Sequence, residues 1–537
     1  MPPPILRVVL LAALLFLLAA ELFPQTSPAP PDDVTAQAVR FTALFGAVEQ
    51  HYVEPVDADH AIFDGGIRGM LAALDPFSAF LDRDQFELLQ QQVRGKALGF
   101  GSILYIMPGK VLILQTAPGS PSWRAGLGPG DEIVEVNGQR VARLDLQSLI
   151  ELLKSSRSRP VRLGVIHPGR VVAQDFNLNP AEVALPSVDK AFLWSPGIAY
   201  LHVSSFEGKT AQEVAAALES LDAPHLTGLL LDLRDNHGGI VDAAVGVASL
   251  FLKPNELVLT SRGRTMPEKV YRTSQLPQHY DLPIVVLVDG NTASAAEVLA
   301  AALQDHDRAI IAGEPTYGKG VVQSVTELSD QTGLALTTGQ YFTPSGRSIQ
   351  RPLPGTALTF ASLDQSAAGG ERSPGIVVGA GSGLPAHEDL AKARAFHTDD
   401  GRPVTPGGGI NPDVAIPGRP IDPWLAFLNQ RGYLTSYAEE YLTTHGKVPD
   451  SFEPPPEMLA NLKGRLEQNR VRVPDEYWSK DQSYLKLRLQ VELTNLVFGL
   501  ARGDELETKG DPQVQQAADL FPRIPQLLES HNKGRQK

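Results

Sequence analysis

The 537-residue chain contains no cysteine. That single absence excludes disulfides, a thiolate nucleophile, CxxC zinc sites and lipid attachment through cysteine. The twelve histidines are scattered, with no HExxH and no close pair, so neither a metal ion nor a cofactor is expected. Basic residues are in deficit: 47 Lys and Arg stand against 61 Asp and Glu, a formal net charge of −14. A nucleic-acid partner would need a basic patch or stripe, so none is expected. Long apolar runs are lacking too, with one exception at the start of the chain.

That exception reads MPPPILRVVLLAALLFLLAAELFPQ. Arg7 precedes an uncharged stretch from Val8 to Ala20, the length of a signal-peptide core and short of the roughly 20 residues a membrane span needs. Counted from Ile5 to Phe23, the same stretch serves as an uncleaved anchor. The nearest cleavage-like site, Ser27-Pro28-Ala29, is followed by an unfavourable Pro30. Both versions place the folded part in the cell envelope, on the periplasmic side, exported or anchored in the cytoplasmic membrane.

The rest has ordinary globular composition and length for several cores. After a leader or anchor with linker (1–33), apolar residues at helical spacing run over 34–93, as in "FTALFGAVEQHYV", and predict a helical N-terminal domain. Over 96–180 short β-rich runs ("GSILYI", "KVLILQTA", "EIVEVNGQRV") alternate with Gly/Asn turns, and one helix falls near Leu144–Lys154. Over 186–420 strands such as "IAYLHV" and "PIVVLVD" alternate with helices, which predicts a mixed α/β core. A Gly/Ala/Ser-rich surface insertion interrupts it at 356–395. A helical C-terminal segment fills 421–537. The fold class is thus a multidomain combination of α/β and α+β parts.

Ser294 stands between the apolar run "PIVVLVD" and an alanine-rich helix. Ser294-x-x-Glu297 fits a capping box, in which the serine side chain accepts a helix amide and the glutamate reaches back. The same position also suits a nucleophile. No G-x-S-x-G elbow surrounds it, and Ser-x-x-Lys matches at Ser483–Lys486 and Ser530–Lys533 lack their partner motifs. The next loop, "GEPTYGKGVVQ", copies seven positions of a phosphate-binding loop, but Gly320 stands where magnesium needs Ser or Thr, which argues against an ATPase. Lys319 in that loop has another use. A lysine in an apolar pocket loses ammonium solvation, its pKa falls, and it can act as a base.

These residues together resemble the C-terminal processing (tail-specific) serine peptidases. Asn291-Thr-Ala-Ser294-Ala-Ala-Glu297, Tyr317-Gly-Lys319-Gly 25 residues later, and Gln323 four further on match that family's nucleophile, general base and lysine-orienting glutamine. "YLHVSSF", "GLLLDLRDNHGGIVDAAV", "YFTPSGRSIQ", "GGGINPDV" and "GMLAALDPFSAFL" extend the likeness from about residue 37 to 420, apart from the 356–395 insertion. It implies a crotonase/Clp-like peptidase core and an oxyanion hole from the backbone N–H groups of Gly238 and Ala295. Two positions depart from the pattern. Ala296 stands where serine is frequent, and Asn236-His237-Gly238-Gly239 replaces Asn-Pro-Gly-Gly, which makes His237 a rival base.

"ALGFGSILYI" with "AGLGPGDEIVEVNG" resembles a PDZ domain. By that likeness Leu98, Gly99, Phe100 and Gly101 bind the terminal carboxylate and last apolar side chain of a substrate. The implied protein is an exported serine endopeptidase that takes protein or peptide substrates by their free C-termini and processes or degrades envelope proteins. The resemblance leaves open an activating or adaptor protein and a homo-oligomer. The competing reading is a catalytically silent PDZ scaffold.

Overall fold

The computed structural model describes residues 32–353, 396–420 and 422–529. The expected leader or anchor at Val8–Ala20 and the whole of the 356–395 insertion lie outside them. Among the described residues no helix is long and apolar enough to cross a membrane.

The chain divides into two compact units, Met1–Met70 and Leu71–Lys537. In the first, an α-helix covers Asp32–His51 and a π-helical stretch covers His60–Ile67. The second begins with a departure from the all-helical reading of 34–93. Pro76 disfavours the helical conformation at Asp75, and Asp75 caps the turn by accepting from the Phe77 and Ser78 amides, each at 2.7 Å. The chain then extends, and Ala79–Leu81 joins a sheet by pairing with Gly333–Leu334–Ala335. A helix, Arg83–Arg94, follows.

Strands Ser102–Met107, Lys110–Thr116, Glu132–Val136, Val161–Ile166 and Gln174–Leu178 pair antiparallel in that order, beside helix Leu146–Ser156. Their inward side chains, among them Val111, Ile113, Ile133 and Val165, form a separate core with Leu149. Its middle is buried on both faces: Val111, Leu112 and Ile113 are all buried, because Leu112 on the opposite face is covered by the C-terminal helices.

The larger core follows the other pattern. Ile198–Val203, Gly228–Asp232, Ile284–Val288, Ile310–Gly313 and Val414–Ala415 run parallel in one sheet, with Val188–Ser195 antiparallel at its edge. Strands "GLLLD" and "IVVLV" are buried at every residue, because helices cover both faces and no wet side remains. A second sheet carries Val321–Glu327 against Gly333–Phe342.

The C-terminal helices brace both parts. Trp424, Leu428, Leu434, Leu485 and Leu489 form one core with Leu112 of the antiparallel sheet. Val514, Ala517, Leu520 and Ile524 pack on Leu230, Val285 and Ile310 of the parallel sheet. Arg234, at the end of strand Gly228–Asp232, binds Asp511 and Gln513 at 2.7 and 2.8 Å. Gly228 is needed where the Phe521 ring lies so close that a Cβ would sit 2.6 Å from its Cε1.

Candidate active site

Ser294 ends the loop that leaves the buried strand Ile284–Val288 and caps the helix Ala295–Asp305. The loop is tied down on several sides. Asp289 Oδ1 accepts from the amides of Asn291, Thr292 and Asp235 at 2.9–3.1 Å. Thr292 Oγ1 donates to Leu233 O at 2.8 Å, and Ala293 N to Asn236 O at 2.9 Å. So held, Ser294 adopts φ 57°, ψ −117°, which side-chain-bearing residues rarely take. Such strain costs about 1–3 kcal/mol and persists only where the surroundings over-determine it.

Glu297 does more than its part in the capping box. It is fully buried in an apolar helix and accepts four hydrogen bonds: from Ser294 N (2.9 Å), Thr316 Oγ1 (2.5 Å), Gly318 N (2.8 Å) and Lys319 N (2.8 Å). Thr316 Oγ1 itself accepts from Ile410 N, so its proton points at the carboxylate. Burial holds the Glu297 carboxyl above its ordinary value, although the four donors lower it. An acceptor surrounded only by donors is built to be ionised. One side chain thus joins the serine helix to the lysine loop.

Lys319 Nζ donates to Gln323 Oε1 at 2.6 Å and lies 5.0 Å from the Phe77 ring centre. Gln323 Nε2 donates to Phe77 O at 2.5 Å. Burial lowers the Lys319 pKa below the ordinary lysine value, while the charges of Glu297 and Asp75 oppose the shift. No hydrogen bond joins Ser294 Oγ to Lys319 Nζ among the described residues.

Gly238, φ +99°, lies against the serine. A Cβ there would come within 2.8 Å of Ser294 Cβ and 3.0 Å of Ala295 N. The two amides expected to hold an oxyanion are therefore neighbours, but they differ. Ala295 N–H, in the first turn of its helix, has no partner among the described residues, whereas Gly238 N–H donates to Asn236 Oδ1 at 2.8 Å. His237 is exposed and shares no hydrogen bond with Ser294.

The four residues expected to hold a chain end lie apart from this site. Leu98–Gly101 line a cavity of about 340 Å³ with Leu104, Leu153 and Arg157. Strand Lys96–Gly99 is covered on one edge by Ala181–Ala184, and no hydrogen bond among the described residues uses the Phe100 or Gly101 N–H. Arg157, following the last turn of helix Leu146–Ser156, donates to Leu98 O at 2.8 Å and puts a cation at the mouth. Sequence reasoning missed Arg157, the cross-loop role of Glu297, Asn236 as partner of Gly238, and the Asp75–Phe77 contact. Only Glu297, an acid three residues into an apolar helix, left a signal. Among the described residues no three His, Asp or Glu side chains are arranged to hold a metal ion.

A profile described as peptidase family S41 matches residues 197–357, and a PDZ-domain profile matches 112–166. A carboxyl-terminal-processing protease of a Synechocystis strain is 36% identical over 291 residues, which cover 53% of this chain and 68% of that protein. A chloroplastic C-terminal processing peptidase of Tetradesmus obliquus is 32% identical, over 60% of this chain and 77% of its own. Among solved structures, a photosystem II D1 C-terminal processing protease aligns with 31% identity and a TM-score of 0.34, over 58% of this chain and 84% of that one.

Proposed function

The chain belongs to peptidase family S41 as a serine-type C-terminal processing peptidase with a PDZ domain, and from that premise we propose that it holds a protein's free C-terminus at Leu98–Gly101 and cuts peptide bonds with Ser294 and Lys319. The observation that carries the reading is the coupling of the two loops through Glu297, which sets a strained serine beside a half-buried lysine of lowered pKa.

Neutral Lys319 gives one N–H to Gln323 Oε1 and keeps its lone pair for the serine proton. Ser294 Oγ, as it loses that proton to Nζ, attacks the scissile carbonyl. The oxyanion that forms meets the Ala295 N–H at a helix N-terminus, and the Gly238 N–H once it turns from Asn236 Oδ1. Collapse passes the proton from Lys319 to the leaving amine, and water then resolves the acyl-enzyme by the same steps. His237, exposed and unbonded to Ser294, has no comparable support as base. The five parallel strands with helices on both faces support a crotonase/Clp-like core.

At the chain-end site, free N–H groups, apolar walls and the Arg157 cation suit a terminal carboxylate with an apolar last side chain. The apolar run after Arg7 supports export or anchoring, with envelope proteins as substrates. Alkaline phosphatase fused after residue 40 is expected to be active; an inactive fusion contradicts export.

The test of function is cleavage of a peptide ending in a free apolar residue by wild type and Ser294→Ala. Loss of turnover by about 10⁴-fold or more, with peptide binding kept, supports the enzyme. Equal turnover above a mock preparation removes the assignment, and no cleavage by wild type favours the scaffold.

A further inference from the structure

We propose that the turn Asp75–Ser78, in the lead region far from the lysine in sequence, is a positioning device for Lys319, acting through the Phe77 carbonyl and ring. The proposal rests on the reading of Lys319 as base.

A carboxamide is polar at both ends with opposite sense. When Gln323 Oε1 accepts from Lys319 Nζ, Nε2 has to face an acceptor, and Phe77 O is that acceptor. Flipping the amide would set Nε2 against Nζ and Oε1 against the carbonyl, so Phe77 O decides which end the lysine sees. That carbonyl is fixed in turn. Asp75, only 3% exposed, accepts from Phe77 N, Ser78 N and Ser78 Oγ at 2.7–2.8 Å. Thr337 Oγ1 donates to Asp75 at 3.2 Å and Thr337 N to Ser78 Oγ at 3.1 Å. Thr337 is also the residue opposite Gln323 in the sheet. The path therefore closes on itself, from Gln323 to Phe77, through Asp75 to Thr337, and back across the strand pair to Gln323.

The Phe77 ring adds a second effect. At 5.0 Å from Nζ it covers the amine and keeps water from it. A ring face also attracts the ammonium form, but burial is the largest influence on this lysine, so the cover favours the neutral amine. The charged groups that face Lys319 are Glu297 on the serine helix and Asp75 in the turn, and both favour the ammonium form. Ring and carboxylate of one turn thus act in opposite directions on the same proton.

The experiment measures kcat and KM against pH for the full-length protein with a peptide ending in a free apolar residue. Phe77→Ala is expected to lower kcat on the order of tenfold with little change in KM, since misplacing a catalytic group slows chemistry rather than binding. Its acid limb, below which the lysine is protonated, moves to higher pH because water reaches Nζ. Phe77→Leu, which keeps an apolar cover, returns the limb toward wild type. Asp75→Asn moves it to lower pH because one anion favouring the ammonium form is gone. Limbs of Phe77→Ala and Asp75→Asn that stay at the wild-type position, whatever happens to kcat, overturn the proposal. If Phe77→Ala does not melt cooperatively, the limb of Asp75→Asn decides by the same criterion. Lys319→Ala keeps the two readings apart. Wild-type turnover there removes the base itself, while an inactive Lys319→Ala beside unmoved limbs removes only the positioning role.

Discussion

The proposed cutting site and the proposed chain-end site are built in opposite ways. Around Ser294 the Asn236 loop, the serine loop, the lysine loop and the Asp75 turn converge, and nearly every polar atom is committed. The chain-end cavity combines the short stretch Leu98–Gly101 with apolar walls and Arg157, and the Phe100 and Gly101 N–H groups have no partner among the described residues. Chemistry needs groups fixed before substrate arrives, because reorganising them during reaction raises the barrier. Recognition of many tails needs donors left free for the ligand. Changes at the first site should therefore act on kcat and stability, and changes at the second on KM.

The largest effect expected after loss of the serine itself is from Lys319→Arg. Guanidinium stays charged throughout the accessible pH range, so kcat should fall by about 10²–10⁴-fold, the usual contribution of a general base, without recovery at alkaline pH. Activity rising with pH in this variant would show that Lys319 is not the proton acceptor. Glu297→Gln comes next. An amide cannot accept from all four donors, so two N–H or O–H groups are left buried and unpaired. A stability loss of about 2–4 kcal/mol is expected by denaturant unfolding, together with a fall in kcat. Unchanged stability would mean that the loops are not held by this carboxylate. Arg157→Ala should be the mildest, raising KM on the order of tenfold for a free-acid peptide and scarcely at all for its C-terminal amide. An equal effect on both peptides would break the contrast between the sites.

What could be read from the sequence divides along the same line. Strands such as "PIVVLVD" announce themselves as unbroken apolar runs because both sheet faces are covered, and the Ser294–Lys319–Gln323 spacing survives as a local pattern on two loops and the strand that follows the second. The stretch Leu98–Gly101 could be proposed for a similar reason, since it is contiguous. Contacts between distant segments left no such trace. Asp75 meets Thr337, Phe77 meets Gln323 and Arg157 meets Leu98 only after sheets assemble. Ala79–Leu81 looked helical because three residues are too few to show a period, and only Pro76 hinted at the break. Asn236 was visible within its motif, but not that its side chain would hold the Gly238 amide.

The central claim is that Lys319 is neutral when the enzyme works. It is tested most directly by following the Lys319 Nζ resonance with pH by ¹⁵N NMR, in Ser294→Ala protein labelled at lysine, beside the pH dependence of kcat/KM for wild type. Burial predicts a midpoint below the roughly 10.4 of a free lysine, with the wild-type activity rising through the same pH. A Lys319 that titrates like a free lysine, beside activity that rises at a clearly lower pH, would contradict the account and assign the proton to another group.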